Sequence, residues 1–406
     1  MNDTTSAVPP SRDRVVNVSL LILCQSFQVI TIGGIALFLP MIRDDLEISF
    51  TQGGTLAAAG TLAYALMQIP AGYLADRYGG RRVFIIGILG VTVLSITFGL
   101  VTEYWQAITN QSLSGFFRAF LFAPGLSLIA GWFPPGKRAM AMGLYLLGGF
   151  IGNLVIDIAG PVLVAQFDWR FPFLVFPPLG ILSALILWRL GKDPPLSNSG
   201  RRVDLGEVLA FFRQKLMWVS GGIQFIRLAV MMGTTFWLPS LLIEEKGISL
   251  QLTGLLIALR ALIIAPSNVL GGYVSDRLRN PILVISVSLV ILTITTALLV
   301  IVDDFALLIV VLVINSMFVQ MYFGPLFAVP VEVLGDRTRG STTGFSNFFA
   351  NLGAFSTVYL LGALKDSSGS FYSGFLVVAV SCLIGLVFTA LLARIRQTAL
   401  KQSTLN

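Results

Sequence analysis

Histidine is absent from this chain, cysteine occurs twice, and charge is scarce. The 27 Lys and Arg with 20 Asp and Glu make up 12% of 406 residues, about half the share usual in soluble domains. Each shortage excludes something. With no histidine, no CxxC pair and no acidic cluster inside an apolar run, metal catalysis and thiol chemistry lack the residues they need. There is no GxxxxGK[ST] loop, so no step driven by nucleotide hydrolysis is expected. The expectation is a protein without cofactor or metal that is not an enzyme. Cys24 and Cys382 sit inside apolar runs and read as small apolar fillers. With 55% apolar residues and a mean hydropathy of +0.85, a soluble globular fold is excluded.

What the chain has instead is long apolar runs. A hydrocarbon core about 30 Å thick needs roughly 20 apolar residues per helix. Reading between charges and turn residues gives twelve such runs. The first begins after Arg14 and is too long for the apolar region of a cleaved signal, so it reads as an uncleaved span. Assigning the loops alternately, only Arg43, Arg170, Lys246 and Lys365 fall on one side, three arginines fall inside spans, and the remaining 20 of the 27 basic residues share the other side. By the positive-inside rule that crowded side is cytoplasmic, with both termini on it, in a plasma membrane of the bacterial inner-membrane kind. The net charge of +7 is thereby assigned to topology, and no nucleic-acid partner is expected.

The longest polar interruption, KDPPLSNSGRRVDLGE from Lys192 to Glu207, follows six spans and precedes six more. It divides the chain into an N-terminal bundle (1–190), a cytoplasmic linker (191–216) and a C-terminal bundle (217–406). An internal repeat agrees: GYLADR at Gly72–Arg77 recurs as GYVSDR at Gly272–Arg277, and Arg138, Gly143 and Gly152 recur as Arg339, Gly344 and Gly353. The fold expected is an all-α membrane protein, twelve transmembrane helices in two pseudo-symmetric six-helix bundles. Parallel repeats of this kind place a shared substrate cavity near the midplane.

The residues Gly72, Asp76, Arg77, Gly79, Arg81 and Arg82 of GYLADRYGGRR match the signature between the second and third spans of the major facilitator superfamily, which the whole chain resembles. The resemblance implies a transporter working by alternating access. It implies that these six residues, with Asp276 and Arg277 of the degraded copy, form gates at the cytoplasmic ends; the plainer reading of the arginines is topology alone. The block WFPPGKRAMAMG (Trp132–Gly143), followed by DWRFPF (Asp168–Phe173), resembles the organic-anion and carboxylate branches of that superfamily, and equally fits a loop shared by many branches.

Ionisable residues within spans say most about cargo. Arg118, Arg227 and Arg260 fall near the bilayer centre, where each costs roughly 2.5–3.5 kcal/mol unless water, partners or substrate compensate. Three mid-span cations against one mid-span acid, Asp157, make an electropositive site. Arginine suits a carboxylate because its guanidinium donates two parallel hydrogen bonds and keeps its charge. The alternative is structural: one arginine pairing with Asp157, another capping carbonyls. Superfamily members often carry an arginine in the fourth span, as Arg118 is placed, though here Phe122 and Pro124 stand where the pattern has glycines.

Asp157 is the first candidate for proton coupling and Glu332, beside GDRTRG, the second; a structural salt bridge is the rival role for both. Gln25 and Gln28 in the first span, and Asn347 and Asn351 one turn apart in the eleventh, are amides that can read substrate oxygens or bond between helices. Gly160–Pro161 fits a helix kink better than the antiporter motif it partly matches. The function expected is proton-coupled symport of a small mono- or dicarboxylate by a monomer whose partners are that anion, protons and the lipid bilayer. The alternatives are a proton-driven exporter of drugs or amphiphiles and a non-transporting membrane sensor.

Overall fold

The structure, a computed structural model, describes residues 11–133, 138–194, 213–334 and 339–403. The central linker from 195 to 212 and most of the WFPPGKR and GDRTRG loops therefore lie outside the described residues. The elements are α1 (Ser11–Leu46), α2 (Phe50–Tyr78), α3 (Gly80–Phe98), α4 (Tyr104–Ala130), α5 (Arg138–Gln166), α6 (Phe171–Val175) and α7 (Pro177–Leu190), followed by α8 (Lys215–Ser240). A π turn (Leu241–Glu245) continues α8 and is followed by α9 (Leu250–Leu278), α10 (Pro281–Ile301), α11 (Phe305–Met321), α12 (Phe323–Leu334), α13 (Arg339–Ser368) and α14 (Phe371–Ser403). Among the described residues there are 11 helices long and apolar enough to cross a membrane. The 29-residue α2 is long enough but diluted by alanine, glycine and threonine, and completes the twelve crossings. The sixth crossing is α6 with α7, interrupted at Pro177, and the tenth is α11 with α12.

By compactness the chain divides into two units, Met1–Ile35 with Ala63–Arg201 and Ala36–Leu62 with Arg202–Asn406. The first is built on α1, α3, α4, α5 and α7 around Cys24, Phe84, Ile88, Leu121, Tyr145 and Leu187. Tyr145 keeps its buried hydroxyl satisfied by donating to the Leu121 carbonyl at 2.8 Å. The Cys24 thiol donates to Ser183 Oγ at 3.5 Å, and both cysteines are buried and unpaired. In the second unit α13 packs along α8, α14 along α10, and α11 along α9. Trp237 is fully buried and donates its indole N–H to the Val358 carbonyl at 2.9 Å.

The sequence repeat has a backbone counterpart. Positive φ occurs at Glu47 (50°) and Gly247 (64°), and again at Gly79 (93°) and Arg279 (49°). Each pair lies 200 residues apart, so the same two turns are used in both halves. Gly152 and Gly353 repeat as well. A Cβ on Gly152 would lie 2.4 Å from the Ser26 carbonyl of α1, and one on Gly353 would lie 2.1 Å from the Phe225 carbonyl of α8. Only hydrogen fits at either crossing, which is how small residues let membrane helices approach.

Candidate functional site

Within the second unit, one stripe of α8 carries Ser220, Gln224, Arg227, Met231 and Thr234, spaced four and three residues apart so that all face one direction. Arg227 is 3% exposed. Its Nε donates to Gln224 Oε1 at 2.7 Å, and its Nη1 reaches Gln320 Oε1 of α11 at 3.5 Å. The guanidinium carbon stands 4.8 Å from the centre of the Phe323 ring, a cation–π distance. Arg260 of α9 is 2% exposed and donates from Nη2 to Thr234 Oγ1 at 2.7 Å. Its Nε and Nη1, with Gln224 Nε2, Ser220 Oγ and the Tyr322 hydroxyl, are buried without a hydrogen-bond partner. Both arginines are thus held by neutral oxygens, and among the described residues neither forms an ion pair. Unpaired buried donors are costly; a cluster of them around two cations is suited to an anion arriving from outside.

The first unit holds the third arginine. Arg118 of α4 is half-buried, its guanidinium carbon 5.4 Å from the Tyr64 ring centre. Its Nε and the Gln68 Nε2 are buried without partners. Asp157 of α5 is 5% exposed, and among the described residues it has no ion pair. The structural alternative in which an arginine pairs with this acid is therefore not realised here. Gln25 is buried with Oε1 unpartnered. Gln28 is buried and engaged in an interaction of its own. On α13, Asn347 is exposed, and Asn351 donates to the Asn347 carbonyl at 2.8 Å within its own helix. Glu332 lies in α12 and Gly72 and Asp76 in α2, and what surrounds these three is outside the described residues.

Of the expected gate, Arg77, Arg82, Asp276 and Arg277 are exposed. Arg77 lies 5.6 Å from the Tyr78 ring, and Arg277 donates to the Tyr273 hydroxyl at 3.4 Å. Gly79 forms the turn into α3. Arg81 donates to the Gly191 carbonyl and lies 3.5 Å from the Asp193 carboxylate, so it ties the end of α7 within its own unit.

Sequence reasoning passed over a denser network at the opposite loops. In the second unit, Arg43 pairs with Glu244 at 3.0 Å and covers the Phe50 ring at 3.3 Å. The Asp366 carboxylate accepts from the backbone N–H groups of Phe50 and Thr51 at 2.9 and 2.6 Å, capping the start of α2 from α13. Lys365 pairs with Glu245, which also accepts from the Phe371 N–H at 2.7 Å. Lys246 pairs with Asp303 at 2.7 Å. In the first unit Arg170 donates to the Val101 carbonyl at 3.1 Å. All four basic residues of the sparsely charged side are therefore engaged. Their rarity on that side was the available signal.

The model for the family described as Major Facilitator Superfamily matches residues 21–358 and 223–405. The chain belongs to the major facilitator superfamily. This membership makes it a membrane transport protein and not an enzyme. A curated relative, the hexuronate transporter of Bacillus subtilis (strain 168), is 24% identical over 95% of this chain and 95% of its own. The probable galactarate/D-glucarate transporter GarP of Escherichia coli (strain K12) is 25% identical, covering 85% of this chain and 87% of its own. The crystal structure of a bacterial homolog to the human lysosomal transporter Spinster, inward-facing and unoccupied, superposes with a TM-score of 0.77 at 20% identity over 96% of this chain and 97% of that one. That likeness carries the fold of two six-helix bundles.

Within this superfamily member, the residues missed from sequence are the neutral partners Tyr64, Gln68, Gln224, Thr234 and Gln320. Gln224 and Thr234 were findable, since they share the helix face of Arg227. Tyr64, Gln68 and Gln320 come from other helices and needed the tertiary packing.

Proposed function

We propose that this protein transports a small organic anion, a mono- or dicarboxylate of the sugar-acid type, by proton symport. The observation that carries the reading is the pair of enclosed arginines, Arg227 and Arg260, bonded to neutral oxygens and surrounded by unpartnered donors. A carboxylate supplies the acceptors those donors lack, in the bidentate geometry that guanidinium groups favour. The cargoes printed for the two relatives, hexuronate and galactarate or glucarate, are carboxylates, which supports the same class.

In the mechanism proposed, the anion reaches Arg227 and Arg260 when the helices around them part, and its charge offsets theirs so that the site can close again. Arg118, on Tyr64, is a second anchor in the first unit, with Gln25, Gln28, Asn347 and Asn351 reading hydroxyl groups. Asp157, enclosed and unpaired, carries the coupled proton, with Glu332 as second candidate. The Asp76/Arg77 and Asp276/Arg277 loops serve as gates, and the whole operates as a monomer in the bacterial inner membrane with both termini cytoplasmic.

Reconstitution into proteoliposomes tests the reading. Labelled glucuronate, galactonate and glucarate are offered with and without an inward proton gradient. Arg227→Ala and Arg260→Ala are each expected to abolish uptake of the transported acid while the protein inserts normally. Unchanged uptake in both variants overturns the anion site.

A further inference from the structure

The two halves differ in charge where their first and last crossings end. In the first half, Asp13 near the start of α1 pairs with Lys192, just beyond α7, at 2.8 Å. Asn17 fixes the same place by accepting from the Lys192 backbone N–H at 2.7 Å. The first half thus pairs Lys192 with an acid of its own, while Arg12, Arg14 and Arg189 stand nearby. In the second half the repeat offset of 200 places Arg213 where the first has Asp13. The corresponding helices, α8 and α14, bring Lys215 and Arg394 to one groove. The segments 213–219 and 388–403 contain no acid, and among the described residues neither Lys215 nor Arg394 forms an ion pair.

The groove has a definite construction. Lys215, Trp218 and Val219 of α8 face Leu391, Arg394 and Ile395 of α14 across a space of about 440 Å³. About one turn inward on each helix, the Phe388 ring of α14 would lie 3.2 Å from a Cβ on Gly222 of α8, so the two helices are in close contact there. The Trp218 indole is held edge-on against Phe349 of α13, ring centres 5.4 Å apart, so the apolar wall is formed in advance. Trp218 and Leu391 remain exposed. An indole at this depth belongs to the interfacial belt of a membrane helix, and the two cations stand at the headgroup level beside it.

We propose that this groove binds an anionic phospholipid, its phosphate between Lys215 and Arg394 and one acyl chain along Trp218, Val219, Leu391 and Ile395. The lipid supplies to the second half the negative charge that Asp13 supplies to the first. Two features together select this ligand: two exposed cations side by side attract an anionic headgroup, and the apolar floor between them and Phe388 suits a chain attached to it.

Native mass spectrometry of the purified full-length protein, delipidated and then titrated with phosphatidylglycerol or phosphatidylcholine, tests the proposal. The expected result is one retained phosphatidylglycerol, with affinity falling about 30-fold in Lys215→Gln/Arg394→Gln, as follows from removing two basic groups near an anionic headgroup. Arg189→Gln, which removes an exposed cation at the end of α7, leaves the affinity unchanged, and thermal melting confirms that each variant is folded. Equal retention of phosphatidylcholine overturns the charge assignment. Equal affinity in the double variant and the parent overturns the site. Displacement of the lipid by millimolar inorganic phosphate shows an anion site without a chain, and overturns the lipid.

Discussion

Arg260 of α9 donates to Thr234 of α8 at 2.7 Å, and Thr234 lies two turns along the same helix face from Arg227. One stripe of α8 therefore positions both cations of the second unit. Thr234→Val keeps the shape and removes the acceptor. Hydrogen bonds to charged groups contribute about 1.5–3 kcal/mol, so affinity for the transported acid is expected to fall roughly 10- to 100-fold. Thr234→Ser is expected to restore most of it. Binding measured by calorimetry in detergent checks this; an unaltered Kd in Thr234→Val removes the positioning role.

The two outer ion pairs of the second unit differ in burial, and their substitutions are expected to differ in consequence. Lys365 and Glu245 expose 8% and 22% of their side chains, whereas Asp303, the partner of Lys246, exposes 90%. Lys365→Met leaves the partly exposed Glu245 without its cation, a case between a buried and a surface pair, and is expected to destabilise by about 2 kcal/mol. Asp303→Asn alters an exposed pair and is expected to cost less than about 1 kcal/mol. Thermal melting of the two variants side by side decides the ranking.

Gly152→Ala and Gly353→Ala each direct a methyl group at a backbone carbonyl, where no rotamer change relieves the clash. Forced separation of the helices is expected to cost about 1–3 kcal/mol at each position. Gly247→Ala, with nothing within 4 Å of its Cβ, strains only a left-handed turn and is expected to cost about 1 kcal/mol. A melting temperature for Gly353→Ala equal to the parent would show that the α8–α13 crossing tolerates more space than the structure gives it.

Asp157→Asn tests the proton route. The expected phenotype is retained exchange of substrate across the membrane with loss of accumulation driven by an acidic exterior. Proteoliposomes with and without an imposed gradient separate the two. Full gradient-driven accumulation in the variant assigns the proton elsewhere.

Twelve crossings, the repeat and the three mid-span arginines were legible because each is a local property: run length, spacing, and a charge in an apolar run. The Gly152 and Gly353 crossings could be anticipated from the repeat, though not their partners Ser26 and Phe225. Of what holds Arg227 and Arg260, Gln224 and Thr234 were legible as residues of the α8 face that carries Arg227. Gln320 was not: it is a neutral residue on a helix far off in sequence, and composition gives no sign that it meets an arginine. The outer network escaped for a related reason. Nothing in the sequence around Asp366 marks its two bonds to the start of α2, which exist only once α13 passes that point.

The π turn after α8 carries a consequence of its own. Glu244 and Glu245 are adjacent, and successive residues of a regular helix point about 100° apart. That spread takes Glu244 to Arg43 of α1 and Glu245 to Lys365 of α13, and the wider turn from Leu241 to Glu245 sets the rotation about the helix axis at which the two carboxylates emerge. An inserted residue is what a π turn amounts to. Deleting one residue there would tighten the coil, rotate both carboxylates off their cations and leave every charge in the segment present but misdirected. Chain length at that turn, as much as charge, is what the outer fastening depends on.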